Sequence, residues 1–153
     1  MALHFEKVDN SNRKKVESLS VRPFQINFIE SVTECMEEAD MYSAWHPVAI
    51  YDDANLVGFS MYGCFTEEKW GKRVWLDRLL IDQKYQGKGY GKKSIEILSR
   101  QLFDEYDTEQ IYLSVYDDNP VAIRLYEKAG FEFNGELDTK GEKIMVLRRD
   151  KIK

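Results

Sequence analysis

Apolar positions along the chain fall into two rhythms, one repeating every second residue and one every three to four. His4–Val8 alternates in the two-residue rhythm and predicts a short strand. Asn12–Leu19 and Asn27–Ala39 follow the helical rhythm. In the second of these, Phe28, Val32, Cys35, Met36 and Ala39 recur at spacings of three and four, while Glu30, Glu34, Glu37 and Glu38 take other positions. Val48–Tyr51 and Leu56–Tyr62 read as strands on either side of the turn residues Asp52–Asn55. Arg73–Ile81 is a further strand, dense in large apolar side chains, and a polar loop around Trp70 is expected between Phe65 and Lys72. Gly89–Tyr106 predicts a long amphipathic helix with Ile95, Leu98, Leu102 and Phe103 on one face. Ile111–Val115 returns to the strand pattern. Asn119-Pro120 then offers a helix cap followed by a proline at the first helical position, and that helix ends at Ala129-Gly130. Phe131–Leu137 and Lys143–Leu147 complete the chain as a hairpin-like pair. The pattern describes a mixed α/β domain with helices inserted between strands.

The length of 153 residues argues for a single domain over residues 1–153. No apolar run approaches the roughly 18 residues of a membrane span, and the N-terminus lacks a signal-peptide core, so no membrane partner is expected. Two cysteines, Cys35 and Cys64, suit a reducing compartment and a cytoplasmic placement. Cys35 lies on the apolar helix face and reads as core; Cys64 has no identifiable His partner and reads as a small buried residue. His4 and His46 lack metal-ligand spacing with either cysteine or with each other, so no metal is expected. With 22 Lys+Arg against 27 Asp+Glu, the formal net charge of −5 disfavours nucleic acid and favours a cationic small molecule.

One stretch departs from that acidic background. After the Arg73–Ile81 strand, Gln86-Gly87-Lys88-Gly89-Tyr90-Gly91-Lys92 leads into the long helix. Three glycines in five positions let the backbone approach a ligand closely and turn successive N–H groups into one concavity, and the helix adds its positive end. Lys88, Lys92 and Lys93 surround the same mouth, which suits an anion such as a pyrophosphate. The spacing matches neither the Walker loop nor the dinucleotide fingerprint. A plain glycine turn at a strand-to-helix junction is the alternative.

The Gln/Arg-x-x-Gly-x-Gly/Ala pattern, standing here as Gln86, Gly89 and Gly91, resembles the acetyl-CoA loop of the GCN5-related N-acetyltransferases. A second block, Ile111–Phe131, resembles that family's strand–Asn–helix–Tyr–Gly–Phe segment, and the likeness covers nearly the whole chain. The phrases VAIYDD–LVGFSMYG, WLDRLLID–YQGKGYG and LYEKAGF are similar to bacterial spermine/spermidine acetyltransferases within the family. The resemblance implies a central mixed, mostly antiparallel sheet, flanked by helices. Its parallel middle strands, Arg73–Ile81 and Ile111–Val115, would splay apart to receive acetyl-CoA. Main-chain groups at Leu79, Leu80 and Ile81 would hold the pantetheine arm, and Gln86, Gly87, Lys88, Gly89, Tyr90, Gly91 and Lys92 the pyrophosphate. Asn119 would meet the pantetheine side and Lys128 a phosphate.

Acetyl transfer to an amine needs the free base, a polarised thioester carbonyl and a stabilised leaving thiolate. An alkylamine of pKa near 10.4 is neutral at pH 7 only about once in 10^3.4, a handicap of roughly 4.6 kcal/mol. Asp77, two residues before Leu79, is the candidate to take the proton, directly or through a water. Its alternative is a salt bridge or hydrogen bond to Arg78 or a neighbouring loop. Tyr126 matches the family's tyrosine and would donate to, or hydrogen-bond, the leaving sulfur; the plainer reading is a core aromatic. A backbone N–H near Leu79 or Leu80 would polarise the carbonyl. Direct attack in a ternary complex is the expected route.

On the acceptor side, Phe24, Trp45 and Tyr62 could wall a polyamine while Glu30, Glu34 and Asp77 supply charge. A solvated acidic helix face is the alternative for each carboxylate. The leading expectation is an acetyl-CoA-dependent N-acetyltransferase for spermidine, spermine or a similar small amine. A protein N-terminus, a lysine or an aminoglycoside as acceptor remains open, as does a non-catalytic CoA-binding sensor. Dimers are common in the resembled family, and the C-terminal strands could pair in a homodimer, but no sequence feature sets the stoichiometry.

Overall fold

The structure, a computed structural model, describes residues 1–21 and 31–152. Its elements follow the chain as β1 (Leu3–Lys7), α1 (Arg13–Glu17), α2 (Val32–Met41), β2 (Trp45–Asp52), β3 (Asn55–Glu67), β4 (Gly71–Ile81), α3 (Tyr90–Tyr106), β5 (Gln110–Val115), α4 (Pro120–Lys128), β6 (Glu132–Leu137) and β7 (Lys143–Arg148), with 3₁₀ turns at Gln83–Tyr85 and Arg149–Lys151. The strands take the order β1-β2-β3-β4-β5-β7-β6. β4 and β5 run parallel, whereas β1–β2, β2–β3, β5–β7 and β6–β7 pair antiparallel. This is the mixed, mostly antiparallel sheet with a parallel middle pair that the family resemblance implies. By internal contacts the chain divides into two compact units, Met1–Gly63 with Arg78–Ser94 and Cys64–Asp77 with Ile95–Lys153.

Several predicted boundaries move, among them the start of β2, at Trp45 rather than Val48. The expected loop between Phe65 and Lys72 is present but narrows to the turn at Glu68–Trp70, since β3 continues to Glu67 and β4 begins at Gly71. Its polar residues suit the exposed side of a two-stranded ribbon, where alternate side chains face water. The ribbon's end is stiffened by Trp70, whose ring packs at 6.0 Å from that of Trp75 and 4.5 Å from the Arg73 guanidinium. The first helix is shorter than Asn12–Leu19. Ser18 and Leu19 donate to carbonyls three residues back, at Lys15 and Val16, so the last turn tightens and stops.

In the first unit, Val8, Val16, Val32, Cys35, Met36, Ala49, Leu56, Phe59, Met61 and Leu80 form one buried cluster. Cys35 is therefore core, as its helix position predicts. Helix α2 starts with a capping box: the Ser31 hydroxyl accepts from the Glu34 N–H while the Glu34 carboxylate accepts from the Ser31 N–H. The portion of the predicted helix before Ser31 lies outside the described residues. Arg13 ties α1 to α2 through a two-pronged bond to Asp40 at 2.9 and 2.7 Å.

In the second unit, β5 pairs with β7 over its whole length, from Gln110 opposite Arg148 to Val115 opposite Lys143. Ile111, Leu113, Ile144, Met145 and Leu147 are almost fully buried there, and Leu98, Leu102 and Phe103 of α3 are as dry. Helix α4 begins as predicted, with the Asn119 side chain accepting from the Ala122 N–H and Pro120 in the first turn. Arg73 forks onto Glu136 of β6 with two 3.0 Å bonds and lies 4.1 Å from the Tyr112 ring.

Candidate functional site

In the first unit, β4 delivers the chain into the glycine loop. Leu80 is buried, and Leu79 and Ile81 are half-buried. The β3 backbone runs so close at Gly58 that an added Cβ would lie 2.5 Å from the Leu80 carbonyl oxygen, so only glycine fits there. Asp82 ends the strand. Its buried carboxylate accepts from the Ser20 and Lys84 N–H groups, and its own N–H donates to Val57. The Gln86 side-chain amide then donates back to the Ile81 carbonyl at 2.8 Å, closing the loop on the strand it left.

Beyond Gln86 the backbone enters the conformation the glycines were expected to permit. Gly87 has φ +78° and Gly89 φ +87°, in the left-handed region. Among the described residues, chain neighbours apart, no atom lies within 4 Å of where a Cβ on Gly87 would sit, and at Gly89 only the Met1 Cε does, at 4.0 Å. The space above the loop is thus open to a ligand. Tyr90 begins α3, whose first-turn N–H groups have no carbonyl acceptor inside the helix. Lys88, Lys92 and Lys93 are exposed around it. An open concavity with backbone donors, a helix N-terminus and three lysines fits a pyrophosphate.

Arg78, still in β4, has φ +62°, a conformation that costs a non-glycine residue about 1–3 kcal/mol. Its guanidinium is paired with Glu38 of α2 at 3.2 Å, and this side chain is 14% exposed.

In the second unit, β4 pairs with β5 at Val74–Ile111 and Trp75–Tyr112. Two residues on, where the same register would bring Ser114 opposite, the Asp77 carboxylate accepts from the Ser114 N–H at 3.1 Å and the Ser114 hydroxyl at 3.4 Å. A side chain therefore takes the place of a backbone rung. Asp77 is buried, at 9% exposure. Tyr126 on α4 keeps partial exposure over the residue as a whole and sets its ring edge-on to Phe131 at 6.0 Å. Desolvation first, then the charges of Asp77 and Glu142, push its phenol pKa well above the ordinary 10. The phenol therefore keeps its proton and stands as a hydrogen-bond donor. Asn119 spends its side chain on the α4 cap, and Lys128 is exposed at the far end of that helix.

Of the expected acceptor residues, Phe24 and Glu30 lie outside the described residues. Glu34 is exposed and engaged in the α2 capping box. Trp45 packs on the first unit's core, and Tyr62 is 7% exposed with its ring 5.4 Å from that of His46. Sequence reasoning missed Ser114 and Asp52, because their partners Asp77 and Tyr90 are 37 and 38 positions away. In the second unit, a cavity of about 290 Å³ opens beside Lys72, Arg73, Arg148 and Arg149 at the start of β4. Each of those arginines is already matched to a carboxylate. Among the described residues, no three His, Cys, Asp or Glu side chains gather as a metal site, and no helix is long and apolar enough to cross a membrane.

Comparison with known proteins gives this geometry a context. Residues 13–131 match the family model described as acetyltransferase (GNAT) family. The chain is 45% identical over 149 residues to the spermine/spermidine N(1)-acetyltransferase of Bacillus subtilis (strain 168), covering 95% of this chain and 98% of that protein. Among solved structures, spermidine N-acetyltransferase from Vibrio cholerae, in complex with CoA and spermine, superposes with a TM-score of 0.73 at 20% identity over 98% of this chain and 97% of that one. An aminoglycoside acetyltransferase in complex with coenzyme A superposes at 0.80, with 20% identity over 97% and 96%. At that identity the two superpositions speak for the fold alone.

Proposed function

The chain belongs to the acetyltransferase (GNAT) family, and on that premise we propose that it transfers the acetyl group of acetyl-CoA to a primary amine of a polyamine such as spermidine or spermine. The observation that carries the acceptor is the 45% identity to a spermine/spermidine acetyltransferase over nearly the full length of both chains. The aminoglycoside relatives match over a shorter stretch, 64 residues and 42% of this chain. The acidic balance of the chain agrees with a polycation as substrate.

When bound, acetyl-CoA supplies the activated acetyl group as a thioester. The chain's residues then have separable tasks. Backbone N–H groups from Gln86 to Lys92, with Lys88, hold the pyrophosphate, and Leu79–Ile81 offer main-chain groups to the pantetheine arm. Asn119 and Lys128 are further cofactor contacts carried by the family likeness. Asp77 accepts the proton of the attacking ammonium, directly or through one water, while the Ser114 N–H keeps its carboxylate in place. Tyr126, fully protonated, donates a hydrogen bond to the sulfur as it leaves; a thiol of pKa near 8.5 needs no stronger acid. Phe24, Glu30, Glu34, Trp45 and Tyr62 are candidate acceptor contacts, and a homodimer is the candidate assembly.

The test follows CoA thiol release from acetyl-CoA with spermidine, spermine, putrescine, an aminoglycoside and a lysine-bearing peptide, against a no-acceptor control. The expected result is release that depends on spermidine or spermine. Release with the aminoglycoside or peptide alone would transfer the assignment to those acceptors. Silence across the panel, with acetyl-CoA still bound, would favour the sensor.

A further inference from the structure

The tip of the β2–β3 hairpin lies far from the glycine loop in the chain, yet it touches it. Asp52 is the last residue of β2, and the hairpin turns through Asp53 at φ +52°. One Asp52 carboxylate oxygen accepts from the Tyr90 phenol at 2.5 Å, and the other accepts from the Ala2 N–H at 2.9 Å. Tyr90 is the first residue of α3, in the middle of Gly89-Tyr90-Gly91. Its ring also meets the edge of Tyr85 at 6.0 Å, on the other side of the two left-handed glycines. The Asp52 carboxyl sits below its usual pKa, through the Tyr90 bond first, and the Tyr90 phenol above its own, for the same reason. One is therefore a charged acceptor and the other a neutral donor throughout the working pH range, the strong form of such a bond.

The loop needs this support. Gly87 and Gly89 give its backbone freedom that must be removed before several N–H groups can converge on one anion, and each glycine loses more freedom on ordering than any other residue. Gln86 fixes the loop's entry to the end of β4. Its exit into α3 is fixed by the Tyr90 hydroxyl, which reaches a hairpin 38 positions earlier in the chain. We propose that Asp52 is a positioning residue for the phosphate-binding loop, acting through the Tyr90 hydroxyl to hold the start of α3 in its ligand-binding geometry. This rests on the reading of Gln86–Lys92 as the pyrophosphate site.

Steady-state kinetics at saturating spermidine, with acetyl-CoA and with S-acetylpantetheine as alternative donors, test it. The second donor has the same reactive thioester and no pyrophosphate. In Asp52→Ala the KM for acetyl-CoA should rise about tenfold, the scale of one hydrogen bond to a charged group, with kcat close to wild type. Its kcat/KM with S-acetylpantetheine should stay at the wild-type value. Tyr90→Phe should raise the acetyl-CoA KM to the same extent, and the double variant should add little to either single one. Asp52→Asn, with one accepting oxygen, should recover part of the loss. An unchanged acetyl-CoA KM in folded Tyr90→Phe and Asp52→Ala would overturn the proposal, as would equal losses with both donors. If the wild-type protein used both donors equally well, the phosphate-site reading itself would fail. Preference for acetyl-CoA that survives both substitutions would leave that reading standing and remove Asp52 from it.

Discussion

Asp77 fastens β5 through Ser114, the proposed function gives it a second job as proton acceptor, and a pair of substitutions pulls the two apart. Removing the side chain in Asp77→Ala strips the Ser114 N–H of a charged acceptor at 3.1 Å and its hydroxyl of a weaker one at 3.4 Å. Hydrogen bonds to charged groups contribute about 1.5–3 kcal/mol, so the loss should be about 2–3 kcal/mol. In a domain of this size each kcal/mol moves the melting temperature by about 2–4 °C, giving a drop of about 5–10 °C. Asp77→Asn keeps an oxygen for Ser114 and should melt within about 3 °C of wild type by the same scaling. Its chemistry, however, loses the proton acceptor. Catalysis must then draw on the free amine already in solution, about one molecule in 10^3.4 at pH 7 for a pKa near 10.4. Activity at pH 7 should fall by about 10²–10⁴, the usual worth of a general base. It should also recover with unit slope, about 100-fold between pH 7 and 9, as the free base becomes common. The assay is kcat/KM for spermidine against pH, beside thermal melts of all three proteins. Wild-type activity and slope in Asp77→Asn, with Asp77→Ala still melting low, would show that the carboxylate only fastens β5 and that the base lies elsewhere.

Tyr126→Phe should lower kcat by about 10- to 100-fold with little change in the acetyl-CoA KM, since a donor to the leaving sulfur acts late. Because burial and Asp77 raise the phenol pKa above 10, the wild-type rate profile should show no phenol limb below that pH. Gly58→Ala drives a Cβ to 2.5 Å from the Leu80 oxygen and should cost at least about 1–3 kcal/mol in urea denaturation. Glu136 is held below its ordinary pKa of 4.5, chiefly by the Arg73 bonds. A depressed carboxyl stabilises the fold fully above the ordinary value and loses that contribution as pH falls through the folded one. Glu136→Gln should therefore melt lower than wild type at pH 7, and the gap should narrow once pH drops below 4.5.

Features written in neighbouring residues were legible before any coordinates. The Asn119-Pro120 cap and the glycines of the loop act through local backbone preference, and both stand where the spacing puts them. The apolar face of α2 at Val32, Cys35 and Met36 is equally local, and it is buried. The parallel middle pair was reached through resemblance, since alternation alone does not tell a strand its neighbour. What escaped reading depends on chain segments that meet only on folding. The Asp77–Ser114 bond follows from the β4–β5 register, which two residue pairs set. Arg78 holds a left-handed φ while its guanidinium pairs with Glu38, 40 positions earlier, a partner that no neighbouring residue announces. The loop around Trp70 is shorter than its polarity suggests, because the Trp70–Arg73–Trp75 stack lets strand run up to both sides of the turn.

The Ser31–Glu34 capping box has a consequence for how such a protein can be re-engineered. Helix α2 contains its own start signal, so its register does not have to be inherited from residues 22–30. Its core face, Val32, Cys35 and Met36, begins immediately after that signal. The preceding segment can thus be exchanged as a cassette, with one fixed junction at Ser31 and another at Ser20, where Asp82 and Gln83 clasp the chain. Libraries built between these two anchors would test whether Phe24 and Glu30 take part in acceptor choice while the scaffold on either side stays in frame.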